Sequence, residues 1–325
     1  MTSGHSFFLR VVLAGALALI SVGAAAQAWP SKPVKFIVGF APGGGTDLVG
    51  RAIASKLGDA LGQPVVVENK PGASGTLSAE LVAKSPADGY TLLVTAAGIL
   101  SIAPNFDKVG YDTFKDFEHI ALFVTSPYVL VANPSVPARS LGELNALAKA
   151  KPASLNFGSS GTGGAPHLAG ELYKRLAGID LVHVPYKGLA PALSDLLGGQ
   201  IQLSFADVNL VLKHVEAGKL RALAITGGKR FAGPPDVPTV AEAGVAGYRA
   251  ETWYGLSAPA GTPRAIVQRL YAEARKAVDA PDLQQRFQSQ GLIPSTLTSA
   301  EYAALIAEDH AKWSKLIREA GIKPN

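Results

Sequence analysis

The order of secondary-structure signals predicts an α/β protein of two domains with mainly parallel sheets, the second inserted in the first. Three observations carry this. Short β-rich runs alternate with helical stretches. Glycine-rich loops repeatedly join a run to a helix. One long extended run, "ALFVTSPYVLVANPSVP", reads as a crossing between two α/β series.

Taken in order, Val34–Phe40, Val65–Glu68, Thr91–Thr95 and His119–Val124 are β-rich and bounded by turn residues. Leu155–Phe157, Leu181–Val184, Ile201–Phe205 and Leu220–Thr226 repeat the pattern. Leu48–Leu61 sets Leu48, Ala52, Leu57 and Leu61 near one helical face, and His167–Leu176 does so with Leu168, Leu172 and Leu176. Ser140 with Glu143, Thr239 with Glu242 and Thr298 with Glu301 are capping-box pairs that mark helix starts. The crossing run is broken at Ser126-Pro127 and closed by Pro134 and Pro137. The proline-rich "FAGPPDVPT" ends the second series, and "ETWYGLSAPAG" leads as a strand into closing helices at Arg264–Val278 and Ser299–Glu319. The expected division is 29–130 with 231–325 for the first domain and 131–230 for the second.

The first 28 of the 325 residues read as a secretory signal: Arg10, a short apolar run Val11–Val22, and a small-x-small site at Ala26-Gln27-Ala28. That run is shorter than the ~20 residues a membrane span needs. Cleavage after Ala28 would leave an exported, soluble, periplasmic chain. With no cysteine there is no disulfide, thiolate metal site or lipid attachment. Loss of Arg10 lowers the formal charge from +5 to +4, a weak excess that mildly favours an anionic small molecule and argues against nucleic acid. Scattered aromatic residues form no stacking platform.

Three loops share one design of strand, small residues, then helix: "FAPGGGTD" (40–47), "NKPGASGT" (69–76) and "FGSSGTGGAPHL" (157–168). The first N–H groups of a helix lack internal partners, and the positive end of the helix dipole favours an anion. Glycine lets a guest approach that backbone, and Ser or Thr adds hydroxyl donors. The guest could be a phosphate, an oxyanion or a carboxylate; a tight turn is the plain structural alternative.

Enzymatic motifs miss in detail. Residues 43–47 read Gly-Gly-Gly-Thr-Asp, without the lysine of a phosphate-binding loop. Residues 161–166 lack the last glycine of a dinucleotide fingerprint, and 158–162 and 72–76 each miss the nucleophile elbow at its final position. Ser159 or Ser160 with His167 is the surviving hydrolase alternative. His167, in a first helical turn, could point an N–H at an anion or cap locally. His119, His183, His214 and His310 show no metal-ligand spacing, so neither metal nor cofactor is expected. Asp47 could meet a guest's amine or hydroxyl, or complement its helix dipole. In "VPYKG" Tyr186 and Lys187 can reach outward beside Gly188; Asp207 in "SFADVN" sits at a strand end or a helix N-cap.

Taken together, "WPSKPVKFIVGFAPGGGTD", "VENKPGASGTL", "SPADGYTLLV", "HLAGELYK", "VPYKGLAPALSDLLGGQIQ", "AGKLRALAITGGKR" and "VPTVAEAG" resemble the extracytoplasmic receptors of tripartite tricarboxylate transporters, the Bug receptors. The similarity covers the mature chain. It implies a two-domain, type II Venus-flytrap binding protein, not an enzyme, that closes as a monomer on a small organic carboxylate. It implies delivery to membrane permease subunits, with signalling to a sensor protein as an alternative. Carried onto this chain, the carboxylate loops are Phe40, Ala41, Pro42, Gly43, Gly44, Gly45, Thr46 and Asp47, and Ser159, Ser160, Gly161, Thr162 and Gly163 with His167. Tyr186, Lys187, Gly188, Ser74 and Thr95 would line the remainder. Where relatives often carry Asp-Asn after the Phe of "SFADVN", this chain has Ala206-Asp207.

Overall fold

The structure is a computed structural model that describes residues 29–106, 108–186, 188–230 and 236–323. The expected signal segment, 1–28, and Lys187 lie outside the described residues.

Strand β1 (Val34–Val38) pairs in parallel with β2 (Val65–Asn69) and β3 (Thr91–Ala96). Strand β9 (Glu251–Pro259) runs antiparallel to β3 and to β4 (Phe117–Ala132), which gives the order β2-β1-β3-β9-β4. The second half repeats it. Strand β5 (Asn156–Ser159) lies parallel to β6 (Val182–Pro185) and β7 (Leu203–Asp207), and β7 and β8 (Arg221–Ile225) pair antiparallel with β4. The order is therefore β6-β5-β7-β4-β8. Each lobe is a parallel triplet, one reversed strand and one further strand, so the sheets are mixed. A two-residue β10 (Ile293–Pro294) also pairs with β4.

Sixteen-residue β4 belongs to both lobes, where the sequence predicted a break at Ser126-Pro127. Pro127 has no N–H to give a ladder. It stands where none is missed: it is the last residue of β4 registered with β9, and Tyr128 begins the pairing with β7. The strand thus changes partners at its proline without ending.

Side chains of β1 are buried on both faces, as befits a parallel strand covered by helices. Val34, Phe36 and Val38 pack with Val49, Ile53 and Leu57 of helix α1 (Gly45–Leu61), whereas Ile37 joins Ala79 and Val82 of α2 (Thr76–Ala83). In the second lobe Phe157, Leu203 and Phe205 pack on Leu168 and Tyr173 of α4 (Ala165–Ala177). The return path contributes Val240, Val245, Tyr248 and Ala250 to that same core. The expected boundaries, 130 and 230, fall within β4 and just beyond β8.

Of the three capping boxes, Thr298 and Glu301 form the full reciprocal pair at the start of α9 (Ser299–Ala320). Ser140 Oγ accepts from Glu143 N at the start of α3 (Leu141–Ala150), but Glu143 reaches back to the N–H of Arg139 instead. Thr239 and Glu242 exchange both bonds yet open only a turn, which corrects the predicted helix start; Gly244 and Gly247 follow too soon for a helix to propagate. Helices α5 (Leu189–Leu197), α6 (Val208–Glu216), α7 (Arg264–Asp279) and α8 (Pro281–Ser289) complete the described set.

Helix α4 approaches its sheet closely at Gly170, where an added Cβ would lie 2.3 Å from Cε2 of the fully buried Phe157 ring. Gly170→Ala is therefore expected to lose about 1–3 kcal/mol to overpacking, more than the ~1 kcal/mol alanine gains in helix propensity. A lower urea midpoint at unchanged slope is the expected measurement.

Candidate functional site

All six parallel strands of the two triplets end at one cavity of about 1070 Å³. Two loops, one from each lobe, are built alike. Gly43 and Gly163 take positive φ of 87° and 76°, Gly44 and Gly164 are extended N-caps, and α1 and α4 begin one residue later. The N–H of Gly43 donates to Asp47 Oδ2 (2.9 Å), and that of Gly163 donates to His167 Nδ1 (3.0 Å). In each loop an acceptor four residues on, in the first helical turn, ties back the glycine before the cap. Gly44, Gly45 and Thr46 on one side and Ser160 through Gly164 on the other line the cavity.

These helix starts face the cavity without capping side chains. Gly44, Gly164 and, for α5, Gly188 supply none, whereas α3 and α9, whose N-termini are not among the cavity-lining residues, are capped by Ser140 and Thr298. The orphan donors of the cavity helices are left for a guest. No arginine lines the cavity among the described residues; its charged groups are Glu80, paired with Lys84 at 2.5 Å, Lys108 and Asp207.

Asp47 does not line the cavity. Its carboxylate, 2% exposed, accepts from Gly43 N, Arg51 Nε (3.0 Å) and Asn69 Nδ2 (2.9 Å), and Asn69 also donates to Phe40 O (3.0 Å). Burial alone would raise its pKa, but the donors Arg51, Gly43 and Asn69 together hold it below the usual carboxylate value. Ala41, Pro42 and Gly43 stand behind the lining, whereas Phe40 is part of it.

His167 likewise departs from the expectation that it points an N–H at a guest. A backbone N–H can only donate, so Nδ1 must accept and the ring proton sits on Nε2, 3.8 Å from Glu171. The ring stacks on His183 at 3.8 Å, and His183 Nε2 lies 2.6 Å from Ser159 Oγ, which also accepts from Gly161 N (3.2 Å). Burial, with lesser effects from His183 and Lys174, lowers His167 to about 3; burial and then Lys174 lower His183 to about 4. Ser159 is fully buried and turned away from the cavity. Among the described residues neither Ser159 nor Ser160 bonds to His167, so the pair that the hydrolase alternative needs is not assembled.

The other expected residues divide. Ser74 lines the cavity in a left-handed conformation (φ 55°) that it shares with Ala73, an arrangement costing a non-glycine residue roughly 1–3 kcal/mol. Gly188 lines it too. Thr95 is buried, its Oγ1 2.5 Å from the Tyr302 hydroxyl, and the neighbouring Ala96 takes the lining position. The Tyr186 hydroxyl donates to Asp195 (2.7 Å), outside the cavity. Asp207, at the end of β7 opposite Tyr128, does line it. Sequence reasoning missed Tyr128 of β4, Thr252 and Tyr254 of β9, and an apolar wall of Leu77, Ile102 and Phe106. Only their being brought together by strand pairing reveals them. Among the described residues no cluster fits a metal ion, and no helix is long and apolar enough to cross a membrane.

The family model described as "Tripartite tricarboxylate transporter family receptor" matches residues 49–322. The chain belongs to this receptor family. Similar solved structures agree with that membership. Rpa4515 of R. palustris with adipate is 34% identical, with a TM-score of 0.78 over 91% of the receptor and 100% of that chain. The periplasmic binding protein BugD is 35% identical, with a TM-score of 0.74 over 91% and 100%. MatC from Rhodopseudomonas palustris with bound malate is 34% identical, with a TM-score of 0.74 over 89% and 100%. The receptor thus has the two-lobed fold of periplasmic binding proteins; β4 leads the chain into the second lobe, β9 returns it, and the end of α9 (Trp313, Leu316 and Ile317) packs back into the second core.

Proposed function

We propose that this receptor captures a small organic carboxylate between its lobes in the periplasm and, as a monomer, delivers it to the membrane permease of a tripartite tricarboxylate-type transporter. The observation that carries the reading is the pair of matched loops, 43–47 and 163–167, brought from opposite lobes to one cavity. Backbone N–H groups and hydroxyls can hold a carboxylate by charge-assisted hydrogen bonds of about 1.5–3 kcal/mol each. They need no buried arginine, whose desolvation would have to be offset. The adipate and malate named with two relatives are small carboxylates, which supports the ligand class.

Residues 29–130 with 231–325, and 131–230, would be the lobes that close, with the 240–250 stretch following the second lobe into whose core it packs. Closure is stabilised because only the closed form touches the guest from both sides. Export through residues 1–28 places the receptor where it would meet such acids.

Calorimetric titration of unfolded-and-refolded receptor with dicarboxylates, tricarboxylates, amino acids and aromatic acids tests this. At least one acid is expected to bind and, at a hundred times its Kd, to stabilise the fold by about 2.7 kcal/mol. Silence across the panel from well-folded receptor would overturn the proposal.

A further inference from the structure

We propose that Asp207 sets the ligand class: it selects an acid bearing a hydrogen-bond donor, an ammonium or a hydroxyl, next to the carboxylate, over the same acid without one. This rests on the carboxylate reading of the cavity.

Asp47, Glu251 and Asp309 are buried acids, and each is matched: Asp47 by Gly43, Arg51 and Asn69, Glu251 by Arg249 at 2.6 Å, and Asp309 by Trp253 Nε1 (2.7 Å) and Lys312 (2.6 Å). Asp207 differs: it is only partly buried, it lines the cavity, and its carboxylate has no partner among the described residues. It occupies the N-cap position of α6, yet its side chain makes no cap bond. Burial raises its pKa to about 6, and no hydrogen bond or cation within the described chain opposes that rise. An ionised carboxylate is an acceptor only, and one set into a cavity wall without a donor is less well stabilised than one in open water. Near neutral pH this group is ready for a donor that arrives from outside.

Topology fixes where that donor sits. Strand β7 lies directly beside β5, with Gly158 registered to Ser204. The loop after β5 is the carboxylate loop, and neighbouring strands are about 4.8 Å apart. A guest held at Ser160–Gly164 therefore presents to Asp207 the atoms one or two bonds from its carboxylate. The groups around Asp207 leave that role open. Tyr128 on β4 and Tyr254 on β9 are close enough for its charge to raise their pKa values, without a hydrogen bond to it. Glu80 and Lys108 are the other charged lining residues. A second guest carboxylate placed here would face a like charge.

Three matched series test the inference by calorimetry at pH 7.5: propionate, lactate and alanine; succinate, malate and aspartate; glutarate, 2-hydroxyglutarate and glutamate. In the series that binds, the amino or hydroxy member is expected to bind about tenfold or more tightly than the unsubstituted acid. Asp207→Asn is expected to narrow that preference to about threefold or less, chiefly by weakening the amino member. Equal or tighter binding of the unsubstituted acid, or an unchanged preference in Asp207→Asn, would overturn the inference while leaving the carboxylate reading in place. No binding in any series would overturn the inference; the carboxylate reading falls with it only if the tricarboxylates and aromatic acids are silent as well. A further readout needs no ligand: ligand-free Asp207→Asn is expected to melt at or above the wild-type temperature at pH 7.5, since an ionised carboxylate without a protein partner is gone. A lower melting temperature would reveal an internal partner and refute the assignment.

Discussion

Replacing Asp47 by alanine is expected to destabilise the fold by about 2–4 kcal/mol and to weaken carboxylate binding at least tenfold. The carboxylate is buried and collects three donors from three places: Gly43 in the loop, Arg51 one turn further along α1, and Asn69 at the end of β2. Its loss leaves the Gly43 N–H and the Asn69 amide without their acceptor, and breaking a buried, hydrogen-bonded charge costs more than breaking a surface pair. Arg51 is about half exposed and returns to water, which keeps the figure below the top of that range. Asn69, which Arg51 also holds, keeps its bond to Phe40 O, so the loop loses its tie at the Gly43 end. For a chain of this size the melting temperature should fall by roughly 3–6 °C. Arg51→Ala, which removes only the exposed partner, should cost about 1 kcal/mol or less. If Asp47→Ala melted within a degree of wild type, Asp47 would not be the organiser of this loop.

The same residue shows how much could be read before the fold was known. "FAPGGGTD" announced a bare helix start followed by an acid, and both are present. That the acid faces inward was hidden, because Asn69 is 22 residues away and arrives only through the β1–β2 pairing. His167 was legible as a first-turn histidine, whereas its stack on His183 depends on a helix packing over a strand. The α/β alternation and the crossing were legible because both are periodic or local signals. Continuity of β4 through Pro127 was not, since a proline reads as a break unless its missing N–H is known to fall between two sets of partners. Tyr128 and Tyr254 come from two strands that only the finished sheet sets beside the cavity. Loops that act through backbone leave a compositional trace; side chains gathered from separate strands leave none.

Acidification is expected to unfold this protein from the histidines outward. His119 and His183 are lowered to about 4 and His167 to about 3, in each case chiefly by burial, from an ordinary value near 6.5. Bonding agrees: His119 Nε2 lies 3.2 Å from Thr113 O, so the proton is there and Nδ1 accepts from Ser257 Oγ at 2.9 Å, while His167 Nδ1 accepts from Gly163. The neutral rings are part of the fold. Below pH 6.5 the unfolded chain takes up these protons and the folded chain refuses them until about pH 4, so stability is full above 6.5 and falls as pH drops. Asp207 works in the opposite sense, because its folded pKa is raised to about 6: the stability it withholds above pH 6 returns as pH falls. The lowered histidines, with His310 also lowered by burial, outnumber Asp207 and leave a net decline near pH 5. Urea unfolding at pH 7.5, 6 and 5 would measure it, and a flat or rising profile would contradict the neutral assignment. Binding should respond later than stability. Gly163 keeps its acceptor until His167 itself is protonated, so between pH 7.5 and about 6, where the guest acids stay ionised, carboxylate affinity changes through Asp207, and Asp207→Asn should flatten that change while the decline in stability steepens.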